Sequence, residues 1–268
     1  MSDVKEIGKT FVTRKNNYAI ITFNRPEKMN ALTPELFSSI KKAVDDVKND
    51  DNINAVIITG GGDHFSAGGD VKGDIDPLRH MTIDEFKVYF KPINQLYVDL
   101  YNLNKPTIAA INGYALGAGL ELALVCDIRI AADNSLLGEF FVRMGLVPET
   151  GMCLLPKIVG PGMAKMMCFT GEGYKAEQAF EMKLVDQIVP AENLLDAAEK
   201  LAAKLAKGPS SIRLIKKAIN KLGSVSLEES IEPVLNYQFT ATRTEDHKEA
   251  VTAFLEKRKP TFKGLQTL

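Results

Sequence analysis

Three short runs, nearly free of charge, leave this chain few folds to choose from. Ala55-Val56-Ile57-Ile58-Thr59-Gly60, Thr107-Ile108-Ala109-Ala110-Ile111 and Ile128-Arg129-Ile130-Ala131-Ala132 are apolar at consecutive positions rather than alternate ones. A strand with one wet face alternates; a continuous run marks a strand covered on both faces. Such strands need a layer on each side and crossover connections between them. The intervening sequence supplies helices. Thr33-Pro34-Glu35 reads as an N-cap, a proline at the first helical position and an acid in the first turn. Leu36, Phe37, Ile40, Ala43, Val44 and Val47 then share one helical face. Tyr18-Ala19-Ile20-Ile21-Thr22-Phe23 adds a strand closed by the turn Asn24-Arg25-Pro26. Strand and helix alternate, so the class is α/β.

Two of the apolar runs lead into glycine-rich segments. The first is Phe65-Ser66-Ala67-Gly68-Gly69-Asp70. The second is Asn112-Gly113-Tyr114-Ala115-Leu116-Gly117-Ala118-Gly119-Leu120-Glu121. Without large side chains, a ligand can meet bare backbone there. Two such segments can aim two peptide N–H groups at one oxygen, the device that stabilises a negative oxygen on a thioester carbonyl.

Taken together the segments resemble the crotonase superfamily, the enoyl-CoA hydratase/isomerase family, over nearly the whole chain. Asn24-Arg25-Pro26-Glu27-Lys28-Met29-Asn30-Ala31-Leu32 looks like its opening segment, and the two glycine-rich stretches look like its two oxyanion segments. Gly145-Leu146-Val147-Pro148 and Leu154-Leu155-Pro156-Lys157-Ile158-Val159-Gly160 resemble the stretch beyond its active-site helix. The resemblance implies a core of repeated ββα units, assembly as trimers or pairs of trimers, and an acyl-CoA substrate whose coenzyme A is no separate cofactor. It places the two hole amides at Gly69 and Ala118. It also puts Arg25, Lys28, Ala67, Gly68, Asp70, Gly117 and Phe141 among the substrate and CoA contacts.

The acids decide the chemistry. Glu121 falls in the first turn of a helix beginning near Gly119, where the helix N-terminus favours negative charge. It matches one of the family's two hydratase glutamates. The other glutamate is missing: in Gly138-Glu139-Phe140-Phe141, Phe141 occupies its place, and a phenyl ring moves no protons. Glu149, after Pro148, is the favoured replacement, because an acid at that position serves in several relatives. Glu139 is the lesser candidate; it shares a face with Phe141 on a strand end but points elsewhere on a helix. An acid beside Phe140 and Phe141 in a dry pocket would have its pKa raised by desolvation.

The expected reaction is addition of water to a 2-enoyl-CoA by Glu121 and Glu149. The runner-up is an isomerase shuttling one proton through a dienolate. A third possibility, from another class, is an acyl-CoA-binding scaffold that has lost catalysis. Residues 73–104 carry Phe86, Tyr89, Phe90, Tyr97 and Tyr101 at helical spacing, either packing on the core or lining an acyl pocket.

Other features bound the reading. The chain has 268 residues, with 33 basic and 34 acidic side chains, so no global field draws it to nucleic acid or membrane. Cys126, Cys153 and Cys168 are odd in number and widely spaced, and His64, His80 and His247 form no ligand pattern; no metal site is expected. The amino terminus, Met1-Ser2-Asp3-Val4-Lys5-Glu6, lacks an apolar signal region, and no run is long enough for a membrane span; the cytoplasm is the expected location. Gly8-Lys9-Thr10 mimics the end of a P-loop, but Asp3 stands where its first glycine belongs. From about Glu192 onward the texture is helical, with helices expected over 192–206, 210–222 and 227–257. The division is therefore a β/α core over 1–195 and a helical region over 196–268 that covers the site and builds the trimer.

Overall fold

The structure, a computed structural model, describes residues 3–264; Met1 and Ser2 of the polar amino terminus and positions 265–268 of the helical region lie outside them. Ten strands are described: β1 Asp3–Ile7, β2 Thr10–Lys15, β3 Tyr18–Phe23, β4 Ala55–Gly60, β5 Thr107–Ile111, β6 Tyr114–Leu116, β7 Ile128–Ala132, β8 Leu136–Gly138, β9 Tyr174–Lys175 and β10 Gln187–Val189. The helices are α1 Pro34–Lys48, α2 Asp76–Leu78, α3 Ile83–Tyr101, α4 Ala118–Leu124, α5 Gly151–Ile158, α6 Pro161–Thr170, α7 Ala176–Glu181, α8 Leu194–Ala206, α9 Ser211–Leu222, α10 Leu227–Thr242 and α11 Glu245–Leu255. No helix among the described residues is long and apolar enough to cross a membrane.

The main sheet runs β1-β2-β3-β4-β5-β7-β10, and a smaller one runs β6-β8-β9. From β3 to β10 all neighbours are parallel, as the continuous apolar runs require. Register lines up Ile20, Ile57, Ile108 and Ile128 in one row across four strands. That row faces α8, whose Leu194, Ala198, Ala202 and Ala206 recur every four residues and let the helix lie close. The alternate residues, Ala19, Ile21, Val56, Ile58, Ala109 and Ile111, face the opposite core with α1, α3 and α4. Thr33 caps α1 as expected, its Oγ1 accepting from Leu36 N at 3.3 Å.

Three details depart from the sequence reading. The expected division at 195/196 falls inside α8, which is one cover of the main sheet. The single helix expected over 227–257 is two, because Thr244 starts a new one: its Oγ1 accepts from His247 N at 3.1 Å, with Glu245 and Asp246 in the first turn. A β1–β2 hairpin, which the sequence reading did not include, turns at Gly8-Lys9, with Gly8 at φ +57°. β1 is an exposed, polar edge strand and carries no hydrophobic pattern to announce it.

Candidate active site

The two glycine-rich segments lie side by side. Ser66 N donates to Tyr114 O at 2.8 Å, and Leu116 N donates to Ser66 O at 3.0 Å. On its other edge the first segment pairs with Leu32: Leu32 N donates to Gly68 O, and Asp70 N to Leu32 O, each at 2.7 Å. Gly69 sits between those two bonds, with its own N–H turned away. Neither it nor the N–H of Ala118, the first residue of α4, donates to a described group. Close approach is what the glycines permit. Gly68 has φ +89°, and a Cβ there would stand 2.7 Å from Leu116 O and 3.8 Å from Ala118 N. Both amides therefore reach the same neighbourhood.

That neighbourhood is a cavity of about 220 Å³, with Gly69, Ala118, Phe141, Asp74 and Glu149 in its wall. A larger hollow of about 960 Å³ shares Phe90, Phe141 and Glu149 with it and adds Phe86, Tyr97 and Tyr101 from α3. Of the aromatic residues of 73–104, Tyr97 is buried in the core, and Phe86, Phe90, Tyr97 and Tyr101 line the hollow. Phe141 packs over the second segment, its ring 3.7 Å from where a Cβ on Gly117 would stand.

Glu121 is fully buried in α4. Its Oε1 accepts from Glu149 N at 2.7 Å and Gly151 N at 2.8 Å, while Oε2 has no partner. The helix so pins the turn that carries Glu149. Burial raises the Glu121 pKa, and the backbone amides oppose that rise. Glu149 reaches the cavity wall, whereas Glu121 lies behind it. Burial first, then the nearby Glu121 and Asp74, push the Glu149 carboxyl up to about 8, and its Oε2 has no partner.

Glu139 does not point elsewhere. It follows β8, just ahead of the short turn Phe140–Met144, is fully buried, and neither carboxyl oxygen has a partner. A Cβ added to Gly151 would lie 2.7 Å from Glu139 Oε1 and 3.1 Å from Glu121 Oε1, so the two carboxyls share one glycine-sized gap. Burial, then Glu121 and Glu149, hold Glu139 well above the ordinary carboxyl range.

Arg25 and Asp70, two expected substrate contacts, hold each other at 2.7 Å; Arg25 Nη1 also donates to Ala31 O at 2.9 Å. The Arg25 bond draws the Asp70 pKa down, and Asp70 Oδ1 accepts from the amides of Lys72 and Gly73. Lys28 is exposed on the turn Pro26–Lys28, and Ala67 N donates to Met29 O at 2.9 Å. The four therefore share one flank of the first glycine segment. His64 is a loop residue, its Nδ1 accepting from Tyr114 N at 3.2 Å. Cys126 is a core residue whose thiol burial pushes up to about 12.

Asp74 escaped the sequence reading. It sits with Val71, Ile75 and Leu78 at helical spacing, so its signal was a lone carboxyl on an otherwise apolar face.

Residues 13–266 match the model of a single family, described as enoyl-CoA hydratase/isomerase. The chain belongs to that family. It is 38% identical to a crotonyl-CoA hydratase of Syntrophomonas wolfei over 93% of this chain and 95% of that one. It is 37% identical to a 1,2-epoxyphenylacetyl-CoA isomerase of Escherichia coli over 91% and 94%. The crystal structure of an enoyl-CoA hydratase from Bacillus anthracis superposes with a TM-score of 0.87 at 31% identity, covering 98% of each chain. The crotonase-like α/β fold expected from the motifs is therefore the fold this family member has.

Proposed function

We propose that this enzyme adds water to a 2-enoyl-CoA. The observation that carries the reading is one cavity walled by Gly69, Ala118 and Glu149, with a carboxyl raised to about 8 beside two unspent amides. The thioester oxygen sits at Gly69 N and Ala118 N. As charge builds on it, those donors strengthen, and each contributes roughly 3–4 kcal/mol to transition-state stabilisation. Glu149 is protonated at neutral pH and serves as the acid for the α carbon. Glu121 holds the turn that aims it. Arg25 and Lys28 face the CoA phosphates, with Ala67 beside the adenine. The hollow lined by Phe86, Phe90 and Tyr101 takes the acyl chain. Assembly into trimers is supported by apolar side chains left exposed on the last helices, Leu227, Phe239, Phe254 and Leu255 among them.

A second reading, isomerisation with Glu149 as sole proton carrier, is favoured by Phe141, whose ring stands where a second carboxylate is expected. One assay separates the two. Hydration bleaches the conjugated enoyl-thioester absorbance, whereas isomerisation of the unconjugated isomer creates it. Bleaching by the wild type and its loss in Glu149→Gln are the expected results; absorbance that only grows, from the unconjugated isomer, refutes hydration.

A further inference from the structure

Hydration moves two protons, one off the water and one onto the α carbon. With Glu149 as the acid, a base is still needed. Among the described residues, the wall of the 220 Å³ cavity holds one other acid, Asp74. It is 9% exposed. Its Oδ1 accepts the hydroxyl of Tyr89 on α3, and no described residue donates to its Oδ2. That free oxygen lies 2.7 Å from where a Cβ on Gly69 would stand, which puts it beside the first hole amide. Its surroundings are largely apolar, including Ile75, Leu78 and Ile93, with Arg143 and Glu149 in the same cavity wall. A buried carboxyl in such a lining is destabilising unless something it meets there repays it.

We propose that Asp74, oriented by Tyr89, is the catalytic base of this site, taking the proton from the attacking water while Glu149 supplies the proton to the α carbon. The water oxygen bonds to the β carbon, and its proton passes to Asp74 Oδ2. The β-carbon–α-carbon π pair moves toward the thioester oxygen, held by Gly69 N and Ala118 N. The electrons then return to take the Glu149 proton at the α carbon. Asp74 ends protonated and Glu149 ionised, and one proton passed back between them through solvent resets the pair. The sum is one water added.

The hydrogen bond fits this division. A phenol donating to a carboxylate stabilises the ionised form, so Tyr89 opposes the upward pull of burial on Asp74. The other charged or titratable groups near Asp74 are Asp70 on its own turn, already paired with Arg25, Glu149 and Arg143 in the cavity wall, and the buried Tyr97 of α3. After burial, the Asp70 charge also pushes the Asp74 pKa upward.

The inference rests on the hydration reading, and one experiment keeps the two apart: pH–rate profiles of wild type, Asp74→Asn and Tyr89→Phe on the same enoyl-CoA. The wild type is expected to lose rate on the acid side as Asp74 takes a proton. Asp74→Asn is expected to lose roughly 10²–10⁴-fold in kcat, with KM within a few-fold and the acid limb gone. Tyr89→Phe keeps the carboxyl, removes its donor and moves the acid limb to higher pH. A residue that only filled space would leave that limb where it is. A wild type that hydrates, beside an Asp74→Asn variant that keeps its acid limb, overturns the role of Asp74 alone. A wild type that does not hydrate overturns both. Should Asp74→Asn not fold, Tyr89→Phe decides: an unmoved limb refutes the assignment.

Discussion

Glu149 should make the fold weaker as pH rises, and replacing it should remove that weakness. The folded protein holds this carboxyl at about 8 against an ordinary 4.5. Between those values the folded state keeps a proton that the unfolded chain has already released. Raising pH there favours unfolding. The effect is absent below about pH 4.5, grows up to about pH 8 and is level above it. At about 1.4 kcal/mol per pH unit, going from pH 6 to pH 9 removes about 3 kcal/mol of stability through this one group. Glutamine cannot ionise and carries none of it. Urea unfolding of wild type and Glu149→Gln, at both pH values and one protein concentration, measures this. Glu121 and Glu139 titrate in both proteins, so the difference between the two pH dependences reports Glu149 together with its upward push on Glu139. The advantage of Glu149→Gln should grow by about 3 kcal/mol while turnover collapses. An equal advantage at both pH values would mean that Glu149 is already ionised at pH 6, and the argument for it as an acid would fail.

Other expectations follow from single contacts. Gly68→Ala forces a left-handed φ on a side chain whose Cβ lies 2.7 Å from Leu116 O; a stability loss above ~1 kcal/mol and roughly 100-fold lower kcat should appear in thermal melts and steady-state rates. Glu121→Ala strands the buried amides of Glu149 and Gly151 and should cost roughly 2–5 kcal/mol in urea unfolding. Glu121→Gln keeps an acceptor for them and should cost under ~1 kcal/mol; equal losses would refute the anchoring role. Arg25→Ala and Lys28→Ala should raise KM roughly 10-fold for a CoA ester and leave it unchanged for a pantetheine ester, which lacks the nucleotide phosphates; equal effects on both would deny the phosphate contact.

How much of this was legible beforehand follows from which signals are local. β3, β4, β5 and β7 begin and end where the apolar runs do, because burial on both faces writes itself into consecutive residues. Thr33 and its proline marked the start of α1 for the same reason: a cap is satisfied within one turn. The β1–β2 hairpin was not legible, since its exposed outer strand needs no hydrophobic pattern. The acids divide along the same line. Glu121 was readable as a helix-start acid inside a motif, but its two amide donors come from 28 and 30 residues further on. Asp74 and Glu149 stand far apart along the chain, on a π-turn and on the turn before α5, with nothing local to pair them.

What brings those acids together is the backbone rather than any attraction between them, since like charges repel. Gly68 lets the first glycine strand close on Leu116, Gly69 leaves room for the Asp74 carboxyl, and Gly151 leaves room for Glu139 and Glu121. Each glycine is a missing Cβ that a carboxyl or a carbonyl fills. The sheet and α4 hold the group together; burial first, and then this repulsion, raise the pKa of Glu149, where proton transfer to a carbon near neutral pH needs it. On that logic the carboxyls and the glycines are one device. Filling the gap at Gly151 with alanine should therefore disturb the pH–rate profile as well as the stability, although no substituted atom touches the substrate.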